Sequence, residues 1–303
     1  MYTKIYRLVV SSLSKESSFI PFSISLYFLF SCSPSEPTDS PKPFVELGTW
    51  TNPKDNSVLR EIPAGLYSVG SSSGDADELP TFQTKVESFF IAETEVTNEQ
   101  YAEFLSHLYE QNKSIEGLVA TRGEFPRPTE IVKTNRGYRP SYGFEEHPVM
   151  AVSFEGAQRY CAWARLRLPT EIEWEVAARG GLSEQAYPWG SELPEGRANY
   201  GKKWPFGAQP APTMPVKSFS SNGYGLYDMS GNVYEWTASR YQQYGLKNSI
   251  VLSSSPDERI VLRGGSWGSK SYELRVSFRR NYVAKTISNF VGGLGFRCAK
   301  DAS

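Results

Sequence analysis

From Ser271 to Arg280 apolar and polar residues alternate. Tyr272, Leu274, Val276 and Phe278 fall on one side, and Glu273, Arg275, Ser277 and Arg279 on the other. Period two predicts a half-buried strand. Upstream the period changes. "FFIAETEVTNEQYAEFLSHLYE" runs from a strand into a helix over about 98–110, opened by Thr97 and Gln100 as a capping box. A second helix is expected over 155–164, with Ala157, Tyr160, Cys161 and Ala164 on one side. A third, over 170–178, starts at the capping box of Thr170 with Glu173 and stops at Gly180 and Gly181. Short strands are expected from Val58 through "LREIPAGLYSVGS" and over 149–154. Residues 111–146 keep no period and read as a variable surface insertion. Beyond Gly181 the chain is strands and loops, without an internal repeat.

The N-terminus follows a different logic. Lys4, Arg7 and Lys15 precede the apolar run "FIPFSISLYFLF", too short for an ordinary membrane span and suited to a signal-peptide core. It ends in "LFSC". Cys32 stands where a bacterial lipoprotein is cleaved and lipidated, although Phe30 is bulkier than usual there; a plain signal peptide with an incidental cysteine is the alternative. "SPSEPTDSPKP" then reads as a flexible tether. The expected organisation is a signal peptide over 1–31, a lipidated cysteine and tether over 32–57, and a folded domain over 58–303. The protein would be exported and held to a membrane, on the periplasmic side or at the cell surface.

Composition narrows the chemistry. The 303 residues carry a net charge of −1, which gives no footprint for nucleic acid. Two histidines nearly exclude a multi-histidine metal centre. His107 and His147 sit in no nucleophile motif, "GGSWG" lacks the strand–turn–helix flanks of a nucleophile elbow, and nothing resembles a phosphate loop. The 25 glycines and 20 prolines predict many turns, and 14% aromatic residues predict large side chains anchoring them.

Eight segments, "IPAGLYSVGS", "ETEVTNEQYAEF", "HPVMAVSFEGAQRYCAWA", "RLPTEIEWEVAARGG", "YPWG", "NGYGLYDMSGNVYEWT", "LRGGSW" and "GFRCAKD", together resemble the formylglycine-generating enzyme family, the sulfatase-modifying factors. They keep the family's order over about 58–301. The resemblance implies one compact α+β domain with much irregular structure, related to C-type-lectin-like folds. The family enzyme oxidises a cysteine of a sulfatase peptide with molecular oxygen and a copper(I) ion. That ion is held by two cysteines five positions apart on the strand after "RGGS". Carried over, these positions fall on Glu273 and Phe278. A carboxylate and a phenyl ring cannot hold a soft ion that needs thiolates, so no copper is expected.

The resemblance assigns other residues too. Cysteines at the positions of Cys161 and Cys298 form a structural disulfide in the family; two buried thiols or a redox pair are the alternatives. "DMSGNVYE" matches a structural calcium loop, with Asp228 and Glu235 giving side-chain oxygens and Gly231 and Val233 giving carbonyls. The bland reading is a glycine turn bearing two exposed acids. A second calcium site would begin at Asn199 and Tyr200, but the following "GKKWPFGAQPAP" has no Asp and carries Lys202 and Lys203, so it should be lost or weak. Trp163, Trp174, Trp189, Trp236 and Trp267 read mostly as core and loop anchors; an exposed subset would line a peptide or glycan groove.

Three functions compete. The favoured one is a lipid-anchored, non-oxidase binding or structural module with a protein or glycan partner in the cell envelope. The second is an enzyme of altered chemistry acting on a peptide or small metabolite through a pocket of Glu273, Arg275 and Arg279. The third, retained formylglycine synthesis, lacks its thiolates.

Overall fold

In the computed structural model, residues 47–120, 129–203, 212–244, 257–285 and 293–302 are described. The signal segment, Cys32 and most of the tether lie outside them. Strand β1 (Thr49–Thr51) pairs antiparallel with β2 (Val58–Ile62), so regular structure starts before Val58 and the last part of the expected tether is an edge strand. Trp50 supplies the reason, packing against the apolar core. β3 (Gly65–Val69) does not pair with β2; it forms a hairpin with β4 (Phe82–Val86). β5 (Phe89–Ala92) returns beside β2.

Helix α1 (Asn98–Glu110) carries the expected capping box. Gln100 N donates to Thr97 Oγ1 at 3.3 Å, and Thr97 N donates back to Gln100 Oε1 at 3.0 Å. The segment read as a surface insertion is partly built in. Within it β6 (Ile131–Thr134) and β7 (Gly137–Pro140) form a hairpin held on α1, where Ser106 Oγ bonds both the N–H and the carbonyl of Tyr138. Leu118, Val119 and Ile131 are buried there, and apolar burial outweighs the irregular pattern.

Residues 149–154 form no strand: Val152 makes an isolated bridge to Val119, and α2 (Phe154–Trp163) starts at once, capped by Ser153. α3 (Glu171–Arg179) has the Thr170–Glu173 box and ends at Gly180 with φ +57, where an added Cβ would sit 2.8 Å from the Gly223 nitrogen. The remaining strands are β8 (Tyr234–Arg240), β9 (Arg259–Arg263), β10 (Arg280–Val283), β11 (Leu294–Gly295) and β12 (Ala299–Asp301). They complete two four-stranded sheets, β1-β2-β5-β12 and β10-β9-β8-β11. The fold is α+β, with short elements joined by long turns.

Aromatic rings replace much of the missing regular structure. Tyr101 stacks on Tyr160 at 5.6 Å, and Phe296 meets both edge-on. A second cluster gathers Trp174, Val176, Ile62 and Val276 around α3.

Candidate functional site

The segment that alternates in sequence is not a strand. Ser271–Leu274 is a turn of 3-10 helix, and ladder pairing begins only at Arg280. Leu274, Val276 and Phe278 are buried as the alternation requires. The polar side is not a wet surface either: Ser277 and Arg279 are 4% and 5% exposed. Each finds an ionic partner inside, so the backbone is fixed by side-chain bonds rather than by a ladder.

Those partners separate the three residues expected to share a pocket. Arg279 grips Glu171 of α3 with two bonds of 2.6 and 2.8 Å, and its guanidinium lies 4.0 Å from the centre of the Tyr244 ring. Arg275 pairs with buried Glu78, whose other oxygen accepts from Ser277 Oγ at 2.6 Å. Glu273 turns to a third place. It accepts from Arg280 Nη1 at 2.9 Å, Lys270 N at 2.7 Å and Tyr234 Oη at 3.2 Å. Ser269 Oγ donates to the same Tyr234 oxygen at 2.9 Å. Burial, with Glu273 alongside, pushes the Tyr234 hydroxyl up to about 12. Glu273, Arg275 and Arg279 therefore form no common pocket. Only Arg275 opens onto a cleft, about 260 Å³ lined also by Arg179, Ser277 and the serines of the 71–73 loop. At the other carried-over copper position, Phe278 packs in the apolar core and meets the exposed Tyr272 edge-on.

The Asp228–Glu235 turn is expected to offer the side-chain oxygens of its two acids and the carbonyls of Gly231 and Val233. The structure adds Arg297. Its Nε and Nη2 reach the two oxygens of Glu235, each at 2.8 Å, and Trp174 Nε1 donates to Glu235 at 2.7 Å. All three side chains are buried. Asp228 Oδ2 accepts from Lys217 N at 2.8 Å. Glu95 closes the group, accepting from Asn232 Nδ2 and Val233 N. Three carboxylates thus face one guanidinium. Burial, and then the charges of Asp228 and Glu235, hold Glu95 well above the usual carboxylate range; burial pushes Asp228 up to about 6.

Calcium asks for several oxygens; as placed, both oxygens of Glu235 are turned to Arg297. Among the described residues no three acidic, His or Cys side chains converge as a metal would need. Gly231, with φ +93, is a glycine because a Cβ would lie 2.5 Å from the Asn199 carbonyl oxygen. At the second expected site, Asn199 Oδ1 is buried without a partner, while Lys202 and Lys203 are exposed; the loop that would close it is largely outside the described residues.

Cys161 and Cys298 are bonded, joining α2 to the residue before β12. Their sulfurs sit in the aromatic core, both cysteines at most 1% exposed. Reasoning from the sequence missed Arg297, Glu171, Glu78 and Glu95. The only signal available was the need of buried charge for a partner, which does not say which residue supplies it.

Residues 49–302 match the family described as the sulfatase-modifying factor enzyme 1-like domain. The chain is 38% identical over 259 residues to the serine/threonine-protein kinase pkn1 of Chlamydia pneumoniae. That match covers 82% of this chain but only 39% of the kinase, so the chain spans about two fifths of that relative's length. It is 35% identical to the "inactive C-alpha-formylglycine-generating enzyme 2" of Bos taurus, covering 80% of this chain and 87% of that one. It is 32% identical to the formylglycine-generating enzyme of Streptomyces coelicolor, covering 87% and 95%. Among solved structures, PvdO from Pseudomonas aeruginosa superposes with a TM-score of 0.62 at 25% identity, covering 84% of this chain and 98% of that one.

Proposed function

The chain belongs to the sulfatase-modifying factor family, and from that premise we propose that it is a non-oxidase: an exported, lipid-anchored binding module of the cell envelope. The observation that carries this reading is the state of its thiols. Of three cysteines, two are tied in the buried Cys161–Cys298 bridge, and the third is Cys32, at the proposed lipidation point. The positions that the resemblance assigns to copper(I) hold Glu273, locked to Arg280 and Tyr234, and Phe278, locked in the core. A soft cation finds no thiolate pair there. The family hosts both outcomes by name, since one relative is called a formylglycine-generating enzyme and another an inactive one. Kinase activity does not carry over, because the match leaves most of that relative uncovered. The membrane anchor is supported by the basic region, apolar run and Cys32 in sequence.

The test is direct. Purified protein is incubated with a cysteine-containing sulfatase peptide, copper(I) and oxygen, and the peptide is weighed by mass spectrometry. The expected result is unchanged peptide; appearance of the aldehyde overturns the reading. Metabolic labelling with a radioactive fatty acid checks the anchor: label should enter the wild type and be lost in Cys32→Ser.

A further inference from the structure

One cleft lies beside the features described so far and is built differently. Trp189 is half-exposed at its edge. Beneath it the Tyr187 ring lies parallel, at 5.2 Å between centroids and 6° between planes. Tyr187 is itself buried against Ala198 and Leu274. Trp189 Nε1 donates to the Glu192 carbonyl at 2.9 Å, which pins the indole edge. A flat aromatic face is therefore held rigid at a cleft of about 610 Å³, a size that suits a small ligand.

Another part of the wall is the 218–222 loop. Asn222 fixes it: its Nδ2 donates to the Ala177 and Ala178 carbonyls at the end of α3, and its Oδ1 accepts from Tyr224 N and Leu226 N. On that wall Ser220 and Ser221 are exposed, and their hydroxyls have no partner among the described residues. Glu195 and Asp228 add acceptors. The cation lining the cleft, Arg197, is already paired with Glu192. The lining thus offers hydroxyls and carboxylates with no free positive charge, so an anionic ligand is disfavoured and a ligand rich in hydroxyl donors is matched. A rigid aromatic face asks for a flat apolar surface on the same ligand. An ammonium group would be better served by several rings closing on it than by Trp189 and Phe219 in an open, hydroxyl-lined cleft. A pyranose ring has both required features, a face of C–H groups and a rim of hydroxyls.

We propose that the Trp189 cleft binds a neutral pyranose oligosaccharide. One ring stacks on Trp189, and its hydroxyls are read by Ser220, Ser221 and Glu195. This deepens the reading of the domain as a binding module and rests on it; the partner becomes a glycan rather than a protein.

Saturation-transfer NMR on the full-length protein in detergent, with maltotriose, cellotriose and chitotriose as separate probes, tests this. Transfer to the ring C–H protons of at least one trisaccharide is expected. Trp189→Ala should weaken it roughly tenfold, the loss of one stacking contact. Because Trp189 also covers Tyr187, a second variant, Ser221→Arg, fills the cleft and leaves the stacked pair in place; it should abolish transfer while the thermal midpoint stays unchanged. No transfer from any of the three sugars overturns the proposal. So does transfer undiminished in both variants, or tighter binding of a lysine-rich peptide or of phosphocholine than of any sugar. The two readings fail separately. A protein that binds the sugar and also oxidises the sulfatase peptide loses the non-oxidase reading alone, and one that does neither loses only the glycan.

Discussion

Arg297 shows how a single residue can decide the character of a site. A guanidinium with no water around it is tolerable only against carboxylate, and here it faces Glu235 with Glu95 and Asp228 close behind. Removing it keeps Glu235 bonded by Trp174 Nε1 but takes the guanidinium away from it and from Glu95 and Asp228 beside it. Arg297→Met should therefore cost about 3–5 kcal/mol and lower the thermal midpoint by roughly 10 °C or more, read by a melting scan at neutral pH. His147 makes the opposite kind of prediction. Burial lowers its pKa below the ordinary value of 6.5, with Glu145 opposing only in part, and its Nδ1 lies 2.9 Å from Thr213 Oγ1. The unfolded chain then binds a proton at higher pH than the native protein does. Stability falls as pH drops below 6.5, and the loss is complete only below the folded value. His147→Gln should flatten that part of the profile, measured as denaturant midpoint against pH. An unchanged slope would show that His147 does not carry it.

Elements were legible where a local signal sufficed. Both capping boxes mark their helices within a residue of the observed start, because a cap involves only neighbours in sequence. Thr170→Ala removes one such bond and should cost about 1 kcal/mol. A lower urea midpoint at unchanged slope would register it, and Thr170→Ser should restore it. The effect reaches beyond the helix, since Glu173 of the same box also pairs with Arg167, which in turn holds Asp301. The 271–280 segment shows where local reading stops. Its alternation located three of the four apolar positions as buried, Tyr272 being exposed, but alternation cannot tell a strand from a turn whose polar side chains are clamped by ion pairs from distant segments. Glu78 and Glu171 lie about 200 and 108 residues from their partners in the chain, and nothing near the segment announces them. The candidate pocket failed for that reason.

At the scale of the whole molecule, eight short segments in order were enough to place the fold, because they mark the turns and ring anchors that hold a domain with little regular structure. Long-range closure then falls on few bonds. The Cys161–Cys298 bridge spans 137 residues. A loop of that length contributes roughly 5 kcal/mol in the chain-entropy account. The Cys161→Ala/Cys298→Ala pair should lose stability of that order in denaturant titration; a loss near zero would mean that the unfolded chain is already restrained.

The bridge also lies at a particular place in the chain. Cys298 stands directly before β12, which docks between β5 and Arg167. During synthesis Cys161 leaves the ribosome long before its partner exists, and the β1-β2-β5 sheet stays open at one edge until β12 follows. Closure therefore waits for a segment 137 residues downstream of the first thiol. A message broken before codon 298 yields a product with an unpaired thiol and an unfilled sheet edge. Synthesis of Cys298 and β12, rather than emergence of the core, is the event that lets this domain close.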